Sequence, residues 1–248
     1  RDLPMCKVAV VHSGTGSFAL VVSMNHFVSD GYGFYALFNA LDVDPSGSKE
    51  CPVFEVCQGR DMGYEVAKRQ LLGINKSALV SNVKFFAGVA FNALVRGLKH
   101  KRSAWHVDAQ WIAEQKRRCS DVPFVSTNDV LTSWCLRNSD FARYGTMSVN
   151  MRDRAPNLNR AHIGNYESLI IFSKGECEEA ASIRKTLLDP KNLGTGHDTL
   201  PSAGALLSGR LHCVTSWATF YKDVRLPGCE LLLHTPICFD DADMPLPE

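Results

Sequence analysis

Asn25-His26-Phe27-Val28-Ser29-Asp30-Gly31 is the stretch on which the reading of this chain turns. Upstream, Ser17-Phe18-Ala19-Leu20-Val21-Val22-Ser23-Met24 is an apolar run of strand character, and downstream residues 32–41 are amphipathic. The histidine therefore falls where a strand ends and a helix begins, a place from which a scaffold can aim a side chain into a cleft. Histidine is the usual general base near neutral pH, because its ordinary pKa lies close to the working pH. Asp30 is placed to brace the turn rather than to act alone. Gly31 allows a backbone conformation or a close approach that a side chain would hinder.

Outward from this motif, residues 5–12 and 18–24 read as a hairpin, with Ser13-Gly14-Thr15-Gly16 as its turn. The pattern predicts helices over 33–41, 83–98, 109–118, 129–137 and 177–188, the last stopped by Asp189-Pro190. Thr127 or Asn128 is the expected cap of the fourth. Strands are predicted over 105–108, 146–150, 166–172, 206–217 and 230–233, with a loop over 42–59. Strands and helices interleave throughout, which favours an α/β or α+β fold. A lobe boundary is expected in the polar stretch 100–122, dividing the chain into 1–100 and 101–248.

Composition excludes several classes. The 248 residues carry a formal net charge of +1, so nothing draws the chain to nucleic acid or an acidic membrane surface. Apolar residues make up 45%, enough for a sizeable core. The nine cysteines are odd in number and show no C-x-x-C spacing, which suits reduced thiols in a cytoplasmic protein. Arg1-Asp2-Leu3-Pro4 does not read as a signal peptide, and the apolar run 85–95 is too short and too polar to be a membrane span. His100 and His106 lack a metal-like partner set, so no metal is expected.

Residues 25–31 resemble the active-site motif of the BAHD-type acyl-CoA-dependent acyltransferases, relatives in fold of chloramphenicol acetyltransferase and of peptide-synthetase condensation domains. Three later segments add to the resemblance, in family order. Val125-Ser126-Thr127-Asn128-Asp129-Val130-Leu131-Thr132-Ser133-Trp134 resembles the family's S-T-x-D-x-L helix. Met147-Ser148-Val149-Asn150-Met151-Arg152-Asp153-Arg154, followed by Ile163-Gly164-Asn165-Tyr166, resembles its V-N-x-R-x-R and G-N pair. Cys213-Val214-Thr215-Ser216-Trp217 resembles its T-S-W strand. The family's D-F-G-W-G signature is missing; the chain reads Lys222-Asp223-Val224-Arg225-Leu226-Pro227-Gly228 in its place.

The resemblance implies a chloramphenicol-acetyltransferase-like mixed sheet with flanking helices, and acyl transfer from acyl-CoA, as co-substrate, to a small alcohol or amine. No permanently bound cofactor is implied. His26 would be the general base, with Asp30, Gly31 and Arg152 supporting the site. Asp30 is expected to form a buried salt bridge to Arg152 or, second, Arg154. Thr215 and Ser216 would touch substrate or a developing oxyanion, although a hydroxyl pairing with a neighbouring strand explains them equally well. Trp217 reads as core. Lys99-His100-Lys101-Arg102 and Lys116-Arg117-Arg118 read as solvated faces, with coenzyme A phosphates as a minority reading. Gly194-Thr195-Gly196-His197 reads as a plain loop.

Against the family's two-lobed length, the chain is expected to be incomplete at both ends, with most of the first lobe absent. That makes it a fragment, a reduced relative or a truncated gene model, for which a missing lobe or a partner chain is an expected partner. Two other functions follow: a catalytically silent relative serving as a binding or interaction module, and a condensation-like domain whose donor is tethered to a carrier protein. Asn25 and the single histidine argue against the latter, whose motif usually starts with two histidines.

Overall fold

The computed structural model of the chain describes residues 4–14, 16–43, 53–56, 62–72, 87, 90, 91, 105–139, 144–189 and 211–235. In chain order these hold β1 (Cys6–His12), β2 (Phe18–Met24), α1 (Gly31–Asn39), β3 (Glu55–Val56) and α2 (Met62–Leu72). Then come α3 (Ala109–Arg117), α4 (Thr127–Arg137), β4 (Tyr144–Asn150), β5 (His162–Ile163) and β6 (Glu167–Ser173). A 3-10 turn over Lys174–Cys177, α5 (Ala180–Leu188) and β7 (Leu211–Val214) complete the order. The fold is mixed α/β.

β1 and β2 form an antiparallel hairpin, His12 opposite Phe18 and Cys6 opposite Met24. Gly14 and Gly16 in its turn have φ of +84° and +79°, a left-handed region where a Cβ would be strained. Among the described residues the hairpin pairs only with itself. Val8, Val10, Val11 and Phe18 are correspondingly exposed.

The main sheet has the order β6-β4-β7, with β4 antiparallel to β6 and parallel to β7. β4 and β6 are buried over most of their length because helices and turns cover them. Their apolar residues Met147, Val149, Ile170 and Phe172 join Tyr64, Ala67, Leu71 and Leu72 of α2, Leu136 of α4 and Ile183 of α5 in one cluster. That cluster draws on both sides of residue 100. A second cluster joins Ile112 of α3, Val125, Val130 of α4 and Ala180 of α5. Arg184 clamps the helix layer: it donates to the buried Asp129 Oδ2 from Nε at 2.8 Å and Nη2 at 2.6 Å.

Several local expectations are corrected. Residues 105–108 are not a strand: Asp108 caps α3, its carboxylate accepting from the Gln110 N–H at 2.7 Å. An N-cap uses extended backbone, and that mimics a strand in sequence. The cap of α4 is Ser126 rather than Thr127 or Asn128. Its hydroxyl accepts from the Asp129 N–H while the Asp129 carboxylate accepts from the Ser126 N–H, a capping box. Residues 230–233 form no strand; Leu231, Leu232 and Leu233 are exposed, with no paired neighbour among the described residues. Of the strand expected over 206–217, Leu211–Val214 is observed, and residues 215–217 leave the ladder. Most of the helix expected over 83–98, and the segments 99–102 and 194–197, lie outside the described residues.

Candidate functional site

The strand-to-helix connection over residues 25–30 is held from below by one buried ion pair. Asp30 is the N-cap of α1, and its Oδ1 accepts from the Gly33 N–H at 2.9 Å. Its Oδ2 accepts from Arg152 Nη1 at 2.8 Å and from the Tyr166 N–H at 2.9 Å. The two side chains are 2% and 0% exposed, so both charges depend on protein groups rather than water. Arg152 spends its remaining donors on His162 O (2.8 Å, from Nε), Gly164 O (3.0 Å, from Nη2) and Asn150 Oδ1 (3.1 Å, from Nη1). Its guanidinium also lies 4.4 Å from the Tyr32 ring centre and 5.1 Å from that of Tyr166, cation–π geometry. Arg154, the other expected partner, donates instead to Leu187 O.

His26 lies earlier on the same connection, in the turn just past β2, and is exposed where Asp30 is buried. Its backbone carbonyl accepts from Asn165 Nδ2, which ties the turn to the loop before β6. Asn25 Oδ1 accepts from the Phe27 N–H at 2.9 Å and closes the turn locally. The imidazole is 68% exposed, and its Nε2 lies 3.5 Å from Glu167 Oε1. Glu167, the first residue of β6, is in turn held by Ser148, whose hydroxyl donates to Oε2 at 2.7 Å.

A small pocket opens beside this group. Its walls include Gly31, Ser148, Asn150, Glu167, Thr215 and Ser216, and its volume is about 30 Å³. That is room for water-sized occupants, not for a whole acyl chain. Thr215 and Ser216 line it because the chain leaves β7 after Val214 and turns across the N-terminus of α1. Trp217 follows and is only partly buried; it lines the pocket rather than the core, which corrects the sequence expectation. A Cβ on Gly31 would lie 2.5 Å from Trp217 Nε1, so Gly31 serves close approach, not an unusual backbone angle.

The segment after Trp217 packs on α1 through aromatic contacts. Tyr35, 3% exposed, lies edge-on to Trp217, Tyr221 and His234, and its hydroxyl meets His234 Nε2 at 3.1 Å. Tyr221 and His234 stack at 3.9 Å. Burial, helped by a hydrogen bond with Asp223, pushes the Tyr221 phenol up to about 12; burial pulls the His234 imidazole down. Where the D-F-G-W-G signature would stand, Arg225 instead pairs with Asp42 through Nη2 to Oδ2 at 2.8 Å. Beside the ion pair, burial raises the phenol pKa of Tyr32 and, more strongly, of Tyr64. Tyr64 donates to the Glu167 carbonyl at 3.1 Å.

Of the expected site residues, Asp30, Gly31, Thr215 and Ser216 line this pocket; His26 and Arg152 are not among its walls, His26 meeting it through Glu167 and Arg152 through Asp30. The basic run 116–118 is occupied elsewhere: Lys116 donates to Thr127, while Arg117 and Arg118 pair with Glu114. Among the described residues no cluster of three metal-ligating side chains occurs, and no helix is long and apolar enough to cross a membrane. Glu167 was not singled out from the sequence, and Ser148 and Asn165 entered only as members of matched segments, with no role assigned. The proximity of Ser148 and Glu167 comes from the register that sets Ser148 opposite Leu169 and Asn150 opposite Glu167, which alternation along the chain does not supply.

No family model matches the chain, and no curated protein matches it. Among solved structures it is similar to F. sporotrichioides TRI101 complexed with Coenzyme A and T-2, at 16% identity and a TM-score of 0.42. The likeness covers 88% of this chain and 52% of that one, so the chain spans about half the length of that structure.

Proposed function

We propose that this chain carries the proton-transfer side of an acyl-CoA-dependent acyltransferase, with a small alcohol or amine as acceptor. One observation carries the reading: two of the three later motif matches, far apart in sequence, converge on residues 26–31. Arg152 and Tyr166 bind Asp30, Asn165 binds the His26 carbonyl, and Trp217 covers Gly31. In this reading His26 takes the acceptor's proton as its oxygen or nitrogen attacks the thioester carbonyl. The tetrahedral intermediate collapses, the C–S bond breaks, and the proton passes from the imidazole to the departing thiolate. No acyl-enzyme is needed, because both substrates meet in one cleft. Thr215 and Ser216 are the candidate donors to the oxyanion, and Asp30 and Arg152 hold the turn without moving protons.

A second reading is a catalytically silent binding or interaction module. The open site favours it: His26 is 68% exposed and Phe27 91% exposed, with no wall over either among the described residues. Positioning accounts for roughly 7–11 kcal/mol of a barrier in favourable cases, and a site open on one side forgoes much of that. Thiol release from acetyl-CoA, tried against a panel of alcohols and amines, separates the two readings. Release that depends on His26 supports the enzyme. A well-folded sample that releases none supports the module.

A further inference from the structure

We infer that the pocket beside the turn is an ammonium site, selecting acceptors that carry a primary ammonium a short linker away from the attacking hydroxyl or amine. The inference deepens the acyltransfer reading and rests on it for the ligand's role as acceptor; the binding itself stands on the pocket. Glu167 supplies the negative charge in the wall. Its Oε2 is held by the Ser148 hydroxyl at 2.7 Å, which fixes the carboxylate. Thr215 and Ser216 line the same space, and hydroxyl oxygens accept from N–H donors. Trp217 and Phe220 add aromatic surface, against which cations settle. Among the described residues no lysine or arginine lines it.

The two carboxylates of the pocket differ in how their charges are balanced. Asp30 is bonded to the buried Arg152 at 2.8 Å, so its charge is taken up inside the fold. Among the described residues no lysine or arginine pairs with Glu167; the basic group facing it is His26, exposed, at an ion-pair distance of 3.5 Å with no hydrogen bond. A histidine acts as a base only while neutral, so in the acting state the Glu167 charge stands unbalanced and favours a cation. A volume of about 30 Å³ admits an ammonium head, close in size to water, and is too small for a trimethylated one. The ammonium has no lone pair and serves as the anchor. The nucleophile at the other end of the linker reaches the thioester beside His26, its proton passing to the imidazole and then to the thiolate as the C–S bond breaks. The anchoring ammonium is unchanged in the product.

Three small probes test the pocket without turnover. Ethanolamine and ethylene glycol have nearly the same shape and differ in the charge of one end; choline carries that charge on a wider head. Binding is read from amide and indole N–H shifts of the ¹⁵N-labelled chain, with the Trp217 indole as the reporter in the wall. Ethanolamine should bind about tenfold or more tightly than ethylene glycol, the difference that hydrogen bonds to a charged group make, and choline should leave the Trp217 signal unmoved. Glu167→Gln removes the charge and should weaken ethanolamine by a similar factor. Equal shifts with ethylene glycol or choline, no binding of ethanolamine, or binding indifferent to Glu167→Gln overturns the inference. The probes on the parent chain decide it even where that variant does not fold. In the thiol-release assay the kcat/KM preference for ethanolamine over ethylene glycol should likewise be about tenfold or more and should collapse in Glu167→Gln. His26-dependent release without that preference overturns the ammonium selection while the acyltransfer reading survives. Absence of His26-dependent release overturns that reading, and the binding probes still decide the pocket.

Discussion

The two sides of the 25–31 turn are built in opposite ways. Below it, Asp30 and Arg152 are almost wholly buried and bonded to each other, and five further hydrogen bonds tie them to α1, β4, β5 and the loop before β6. Above it, His26 is mostly exposed, and its side chain meets one carboxylate at 3.5 Å. A buried charge must be fully partnered to be tolerated, so the underside is over-determined. An imidazole that exchanges protons must stay reachable, so the upper side is loose. Rigidity and chemistry are thus separated across a single turn of backbone, and substitutions on the two sides should have different signatures.

The largest expected effect is on the exposed side. His26→Ala should reduce thiol release by about 10²–10⁴-fold, while urea unfolding shifts by no more than about 0.5 kcal/mol. A large loss of stability there would break the contrast. On the buried side, Asp30→Ala strands the Arg152 guanidinium and should cost about 3–5 kcal/mol in the same unfolding measurement. If that variant unfolds like the parent, the underside is not the brace. Gly31→Ala pushes a methyl into Trp217 and should cost about 1–3 kcal/mol, with a change in tryptophan emission as the chain after β7 shifts.

The smallest effect concerns the aromatic contacts between α1 and residues 217–235. Burial depresses His234, opposed by Asp223, so the folded state prefers the neutral ring. Its contribution is then complete above the ordinary histidine pKa, about 6.5, and is lost as pH falls through the lower folded value. Melting temperatures compared at pH 7 and pH 5 should show a drop in the parent that is smaller in His234→Phe. An equal drop in both would assign the acid sensitivity to other groups.

Much of the scaffold was legible because it depends on local pattern. The alternation in 17–24 and the turn glycines each act within a few residues. Even the misreadings were local: an N-cap looks like a strand because both are extended, and Leu231-Leu232-Leu233 looks like a strand because periodicity does not say whether a partner strand exists. Motif order pointed to Arg152 as the partner of Asp30, 122 positions away, but it did not distinguish it by physics from Arg154. The backbone after β4 makes that choice, turning Arg152 inward toward Asp30 and Arg154 toward the end of α5.

The sequence by itself determined the strand-turn-helix frame, the histidine just past the strand and the aspartate that braces the turn, since these follow from spacing along one chain. Only the tertiary structure decided what faces that histidine. Ser148 and Glu167 belong to different strands, and neither has a local signature of function. Their pairing arises because β4 and β6 are antiparallel and because β6 begins beside the turn that follows β2. Trp217 was likewise moved from core to pocket wall by the chain's exit from β7 across Gly31, a contact between segments 186 residues apart that no short-range pattern encodes.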